Sequence, residues 1–437
     1  MTTISLLALL CVLGVSVTAA GAEADPGPQA ARAAVDALNQ QLSTRFSDPH
    51  GLLFDYTAAD GTVALPTAEE LKAAKPNGVA WWCPIENGAF FSGLWLAGLV
   101  GRWEATRDPL VAARARRTAA GLLLLASVGE HPAFIARGVG DDGRSHPPTG
   151  SDDQTLPWFY GLWRYLQSPL PTPEERTTLL AAMVRVGSAL RDNGWLAPSD
   201  PATLGPRGGF AAFTPLTAPR LLFIVRALHD LTGERAWLDL YRQLRDEHAK
   251  PGSPSRLELC ADGDMINEHA APQWDFFMLW TKGHSVAALA ALAAWEEDPA
   301  LAARYRAGLA RWTAFAAGRI SKQKWSLAER PAFQADWRQL LPLWHEQRNV
   351  SETIAVAKAQ AELWDRLSPR KSYELLNMAE PLFACWIVTL GGDTPEARAC
   401  APAIRAALCR YQWSELSYST CFAGELAWWQ GQAWLSK

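Results

Sequence analysis

The sequence predicts an all-α protein whose helical hairpins close into an (α/α)6 toroid, with seven hairpins as the alternative count. Three observations carry that expectation. Apolar residues recur at spacings of three and four over stretches of roughly 15 to 25 residues, while strand-like alternation is scarce. The stretches are of two alternating kinds, one aromatic and glycine-rich, the other laced with arginine and alanine. An element apolar all round is buried on every side, whereas an arginine-laced face meets solvent, so the two kinds read as inner and outer helices. Finally, Pro157, Pro215 and Pro272 recur about 58 residues apart, the length of one hairpin plus a long loop.

A helix over 29–46 comes first. An aromatic helix over 86–105 follows Pro84, and an Arg-rich one over 109–128 starts at Asp108-Pro109. The next pairs are 154–168 with 173–192, 215–232 with 234–249, and 273–296 with 298–318. Proline stands near each aromatic start, because a first-turn residue has no helical use for its N–H. The turn Asp298-Pro299 repeats Asp108-Pro109, and residues 108–116 align with 298–306. Helices over 347–366, 378–391, 395–411 and 420–434 complete the chain, but 320–378 does not resolve into one hairpin. Long loops at 129–152, 193–214, 250–272 and 319–346 fall on one side, which favours a closed ring with a cleft over an open solenoid.

Met1 to about Ala24 reads as an export signal: Ile4 to Ala20 is apolar or small, and Ala22-Glu23-Ala24 offers a cleavage site. An uncleaved membrane anchor is the alternative. Residues 25–437 then form one α/α-barrel domain outside the cytoplasm, with no stable membrane partner. Apolar content of 49% suffices for a large core, and a net charge of −4 without a basic stripe excludes nucleic acid as a partner. Cys83, Cys260, Cys385, Cys400, Cys409 and Cys421 show no metal-ligand spacing; they read either as up to three disulfides or as buried thiols. No metal or organic cofactor is implied.

The chemistry concentrates in Ser151 to Tyr165, where Asp152 and Asp153 precede a run of aromatic residues. Carboxylates supply acid and base chemistry, and flat rings suit the apolar faces of sugars. Acidic residues here also serve as plain helix caps, and Ser151 to Gln154 matches a capping box. With Ser151 as cap, Pro157 falls in the second turn, so the sequence favours Asp153 as the cap and Asp152 as a loop carboxylate facing the mouth. Glu86 and Asn87 open the first aromatic helix after Trp81-Trp82, so Glu86 is a candidate partner acid and Asn87 a sugar contact. Trp81, Trp82 and Trp158 are stacking candidates, with core burial as the alternative. Trp274 and Asp275, at a later helix start, are further substrate-binding candidates. Arg137 and His146, in a glycine-rich loop with no strand before it, read as a grip for an anionic sugar rather than a dinucleotide site.

The run from Glu86 to Gly98, the Asp-Pro turns and the Asp152-Asp153-Gln154 segment together resemble the six-hairpin glycosidase-like superfamily. That resemblance implies an (α/α)6 barrel hydrolysing glycosidic bonds with acids at its mouth. The resulting expectation is an exported glycoside hydrolase acting on an oligo- or polysaccharide, with Asp152, Asp153 and Glu86 as catalytic acids. One alternative is a polysaccharide lyase using His146, Tyr160 and Arg137 on a uronate-containing glycan. The other is a non-catalytic glycan-binding toroid.

Overall fold

The computed structural model describes residues 24–262, 278–322, 325–326 and 331–437. Among them the regular structure is helical, and extended segments pair only at isolated bridges such as Tyr56 with Tyr418. The chain runs through α1 (Gly27–Thr44), α2 (Ala68–Lys72), α3 (Gly88–Thr106), α4 (Pro109–Leu125), α5 (Asp152–Gln167) and α6 (Pro173–Asp192). It continues through α7 (Thr217–Thr232), α8 (Arg235–Asp246), α9 (Arg256–Asp262), α10 (Leu279–Trp295) and α11 (Pro299–Ala317). The last part holds α12 (Val350–Leu367), α13 (Arg370–Glu374), α14 (Glu380–Leu390), α15 (Pro395–Ala399), α16 (Ala401–Cys409) and α17 (Ala423–Leu435).

Six of these helices close a ring. Helix α3 packs on α5, α5 on α7, α7 on α10, α10 on α14, α14 on α17, and α17 returns to α3. Helices α1, α4, α6, α8, α11 and the α15–α16 pair pack outside them. The chain is an (α/α)6 toroid. Its two helix kinds follow their composition: α14 is buried along its whole length, whereas α8 buries only Trp237, Tyr241 and Leu244. The stretch 320–378 adds no ring hairpin. It forms a short 3-10 segment (Trp337–Leu343), α12 and α13, and packs Trp337 and Trp364 with Phe54, Tyr56 and Tyr418 in a second small core.

The cleanest proline starts belong to the outer helices. Asp108 and Asp298 each accept a first-turn N–H at 2.8 Å just before a proline, and Thr172 forms a full capping box with Glu175 before Pro173. On the inner ring, Pro381 is second in α14, Pro84 and Pro215 precede their helices, and Pro157 lies inside α5. Helix α5 begins at Asp152 with Ser151 as cap, two residues earlier than the proline rule suggests. The local penalty is met by packing. An added Cβ on Gly161 would fall 2.1 Å from the Gly93 carbonyl, and one on Gly93 would fall 2.2 Å from that of Pro157. Two glycines thus let α3 and α5 touch backbone to backbone, which sets their N-terminal ends side by side.

All six described cysteines are free thiols, so the disulfide alternative fails. Cys83, Cys260, Cys385 and Cys421 are buried, consistent with packing as small apolar groups. No helix among the described residues is long and apolar enough to cross a membrane. The predicted export signal lies outside the described residues, up to residue 23.

Candidate active site

The starts of α3, α5 and α10 meet at one mouth of the ring, where a cleft of about 430 Å3 opens. Segments 371–375 and 418–420 complete its sides. Four carboxylates line it (Asp55, Glu86, Asp153 and Asp365), together with Arg137, Arg207, Lys371 and three tryptophans.

The turn before α3 builds one wall. Asn77 holds it through hydrogen bonds with the backbone of Trp81 and with Gln360. Trp82 takes a left-handed backbone (φ 74°), uncommon for a bulky residue, and its N–H donates to Glu86 Oε2 at 2.9 Å. Lys371 Nζ donates to the same oxygen at 3.1 Å and lies 4.3 Å from the Trp82 ring centroid. Behind Glu86, buried Asp55 accepts the backbone N–H of Asn87 at 2.6 Å and its amide Nδ2 at 2.7 Å. Burial and the neighbouring Glu86 charge push the Asp55 carboxyl well above the usual carboxylate range, against the pull of Asn87 and Lys371.

The start of α5 builds the other wall. Ser151 Oγ donates to Asp153 Oδ1 and accepts from Arg137 Nη2 at 2.9 Å. Arg137 and Arg207 lie 3.8 and 3.7 Å from the same carboxylate oxygen. Burial opposes ionisation of Asp153, but Arg207, Arg137 and the Ser151 hydroxyl outweigh it and hold the carboxyl at about 2. The walls are tied across α3 and α5: Gln154 Nε2 donates to Asn87 Oδ1 at 2.9 Å, and Gln154 Oε1 accepts the Phe90 N–H at 3.0 Å. Gln154 is spent on this tie, so no capping box forms with Ser151.

The structure brings together Glu86, Asp153, Trp81, Trp82, Arg137 and Asn87 in the cleft lining. It reverses the order of the acidic pair. Asp152 does not line the cleft; its Oδ2 accepts Arg220 Nη1 at 2.7 Å, and Arg220 continues to Ser285 Oγ at 2.7 Å. As a helix start at Asp152 turns that residue toward α7 and α10, the adjacent Asp153 takes the mouth. Asn87 spends its amide on Asp55 and Gln154 rather than on a ligand. Trp158 is fully buried and donates to the Leu122 carbonyl, so it is core. Arg137 is buried and bonds three protein oxygens, which makes it a support for Asp153 rather than a free grip.

His146 lies apart, 3.1 Å from Asp200 and in a surface depression with Glu69 and Lys72. Tyr160 sits among the C-terminal halves of α3 and α17, with Arg164 and Trp429. The lyase set of His146, Tyr160 and Arg137 is therefore not assembled. Trp274 and Asp275 lie outside the described residues.

Asp55, Arg207, Lys371 and Trp280 went unnoticed in the sequence. The signal available for Asp55 was a lone acid between Phe54 and Tyr56. Trp280 stacks on Phe90 (5.9 Å between centroids, 22° between planes) and lines the cleft. Trp81 and Trp82 stand at 65°, forming an aromatic corner.

No family model matches the chain, and no curated protein matches it. Among solved structures it is similar to an α-1,6-mannanase. That structure is an inactive variant, with two Asp-to-Asn changes, of GH76A from Salegentibacter sp. HEL1_6 in complex with alpha-1,6-mannotriose. The identity is 12% and the TM-score 0.34, over 77% of this chain and 99% of that one.

Proposed function

We propose that the protein is a glycoside hydrolase that binds an oligo- or polysaccharide in this cleft and cleaves it by carboxylate acid–base catalysis. The observation that carries the reading is the opposed environment of two acidic groups facing one cavity. Asp153 is held ionised by two guanidiniums, whereas burial and the neighbouring Glu86 charge raise the Asp55 carboxyl well above the usual carboxylate range. Glycosidic cleavage requires one carboxylate to attack or activate water and one carboxylic acid to protonate the leaving oxygen.

Asp153 is the base or nucleophile. Glu86 is the member of the acidic pair at the cleft surface: its Oε2 is engaged by Trp82 and Lys371, and its Oε1 makes no hydrogen bond among the described residues. Asp55 lies buried behind it, holding the Asn87 backbone N–H and side-chain amide. Trp81, Trp82 and Trp280 offer flat surface for sugar rings. Asp152 is a positioning residue that fixes the first turn of α5 through Arg220. The apolar stretch from Ile4 to Ala20 with Ala22-Glu23-Ala24 supports export, which places the substrate outside the cytoplasm.

The test is release of reducing ends from a panel of oligosaccharides by wild type, Asp153→Asn and Glu86→Gln. The proposal expects both variants to fold and to lose turnover. A wild-type protein that binds glycans and leaves every one intact would instead be a binding toroid.

A further inference from the structure

Arg207 differs from the other cations of the cleft. Lys371 donates to Glu86, and Arg137 spends Nε, Nη1 and Nη2 on the Thr149 carbonyl, the Glu86 carbonyl and the Ser151 hydroxyl. The Arg207 guanidinium makes no hydrogen bond among the described residues. It stands 3.7 Å from Asp153 Oδ1, beyond hydrogen-bond length, and 5.6 Å from the centroid of the Trp81 ring. Its five donors thus stay open to the cleft, with an aromatic surface alongside.

The position is built rather than incidental. Arg207 lies on a short antiparallel excursion in which Arg207 N donates to the Ala197 carbonyl, Ala197 N to that of Gly208, and Phe210 N to that of Trp195. Gly208 has φ +78°, and a Cβ there would fall 2.1 Å from Asp152 Oδ1. Only glycine lets this backbone settle against the start of α5, and that contact delivers Arg207 to the cleft. Charge compensation of Asp153 does not account for it alone, because buried Arg137 stands at nearly the same distance and is locked by three bonds.

Resting on the hydrolase reading of the same cleft, we infer that the substrate is an acidic saccharide whose carboxylate Arg207 binds in a fork beside Trp81. A planar guanidinium matches a carboxylate with two parallel hydrogen bonds, and an indole takes the apolar face of the same sugar. Binding engages Arg207 on the substrate and leaves Arg137 to hold Asp153, so the attacking carboxylate keeps its place and loses part of its charge compensation. Substrate recognition and the reactivity of Asp153 are thereby linked through one side chain.

The test uses trisaccharides of glucuronate, galacturonate and mannuronate, each paired with its carboxyl-reduced neutral twin. Affinities are measured by calorimetry in the Glu86→Gln background, so binding is read without turnover. At least one uronate is expected to bind tenfold or more tighter than its twin, and more weakly as salt is raised. Arg207→Gln is expected to erase most of that ratio while weakening the neutral twin only several-fold, and Arg207→Lys to restore part of it. Equal affinity for both members of every pair, or equal losses on both in Arg207→Gln, would overturn the inference and leave Arg207 as a second support of Asp153. Wild-type cleavage of neutral twins alone would overturn it while sparing the hydrolase reading. Arg207-dependent uronate binding with no cleavage by wild type would do the reverse.

Discussion

The wall from Trp81 to Asn87 and the wall from Ser151 to Asp153 both set carboxylates at the start of an inner helix, yet they meet opposite neighbours. Around Asp153 the nearest charged groups are Arg137 and Arg207, and the carboxyl is held at about 2. Asp55 is buried beside Glu86, and burial and that charge raise its carboxyl well above the usual range. A helix start favours an anion on either wall. The difference comes from what the rest of the chain brings: two guanidiniums on one side, a second carboxylate with a single lysine on the other. One helix-start pattern thus meets opposite electrostatic surroundings on the two walls.

The largest effect is expected within the acidic pair of α5. Asp153→Asn should lower kcat by about 10^3-fold, the scale of a lost general base or nucleophile. Asp152→Asn should cost about 10- to 100-fold, because it acts through Arg220 and the placement of its neighbour. Equal losses at folded-state stabilities matched by thermal melting would contradict the division of roles.

The opposite wall should respond to the leaving group. Glu86→Gln is expected to lose about 10^2-fold on a native glycan, and an aryl glycoside whose leaving phenolate needs no proton should recover most of it. Asp153→Asn should show no such recovery. Rescue of both variants, or of neither, would mean that the walls do not divide acid from base.

The pH profile of kcat/KM sharpens the same contrast. Asp153 is ionised down to about 2, so activity should persist well below pH 4. The Asp55 carboxyl is raised, so its proton is present at low pH and lost as pH rises through that raised value. The optimum is therefore expected on the acidic side, with the alkaline limb set by Asp55. Lys371 pulls the Asp55 value down, so Lys371→Met should move that limb to higher pH.

The ring was legible because each hairpin repeats the same burial pattern, apolar inside and arginine-laced outside. The placement of Glu86, Trp81 and Trp82 in the cleft was legible for a related reason: inner-helix starts gather at the mouth of such a ring. Asp55, Arg207 and Lys371 were not, since each comes from a separate loop or short helix and acquires its partner only through long-range packing. Tyr56, for instance, bridges Tyr418. Pro157 misdirected the choice between Asp152 and Asp153, because a local helix rule yielded to the Gly93–Gly161 contact of α3 with α5. The open count of six or seven hairpins came from 320–378, whose helix α12 belongs to a side core rather than to the ring.

A smaller effect concerns the frame of the Glu86 wall. Buried Glu374 accepts the backbone N–H groups of Ser417 and Tyr418 and joins the Lys371 segment to the Tyr418 segment. Burial raises its carboxyl to about 7 against those bonds and Arg370. A carboxyl raised in the folded state contributes stability below its ordinary value of 4.5 and loses it as pH rises through 7. Up to about 3 kcal/mol of stability should therefore fade between those limits. Thermal melting should show a drop of a few degrees over this range, and Glu374→Gln should flatten it.

The most direct test of the central claim needs no substrate. Carboxyl 13C resonances of selectively labelled aspartate can be titrated by NMR in wild type, Asp153→Asn and Asp55→Asn. A resonance titrating near 2 should vanish in Asp153→Asn, while one titrating well above the ordinary aspartate value should vanish in Asp55→Asn. An Asp153 that carries a proton at neutral pH, or an Asp55 that titrates at the ordinary value of 3.8, would contradict the account.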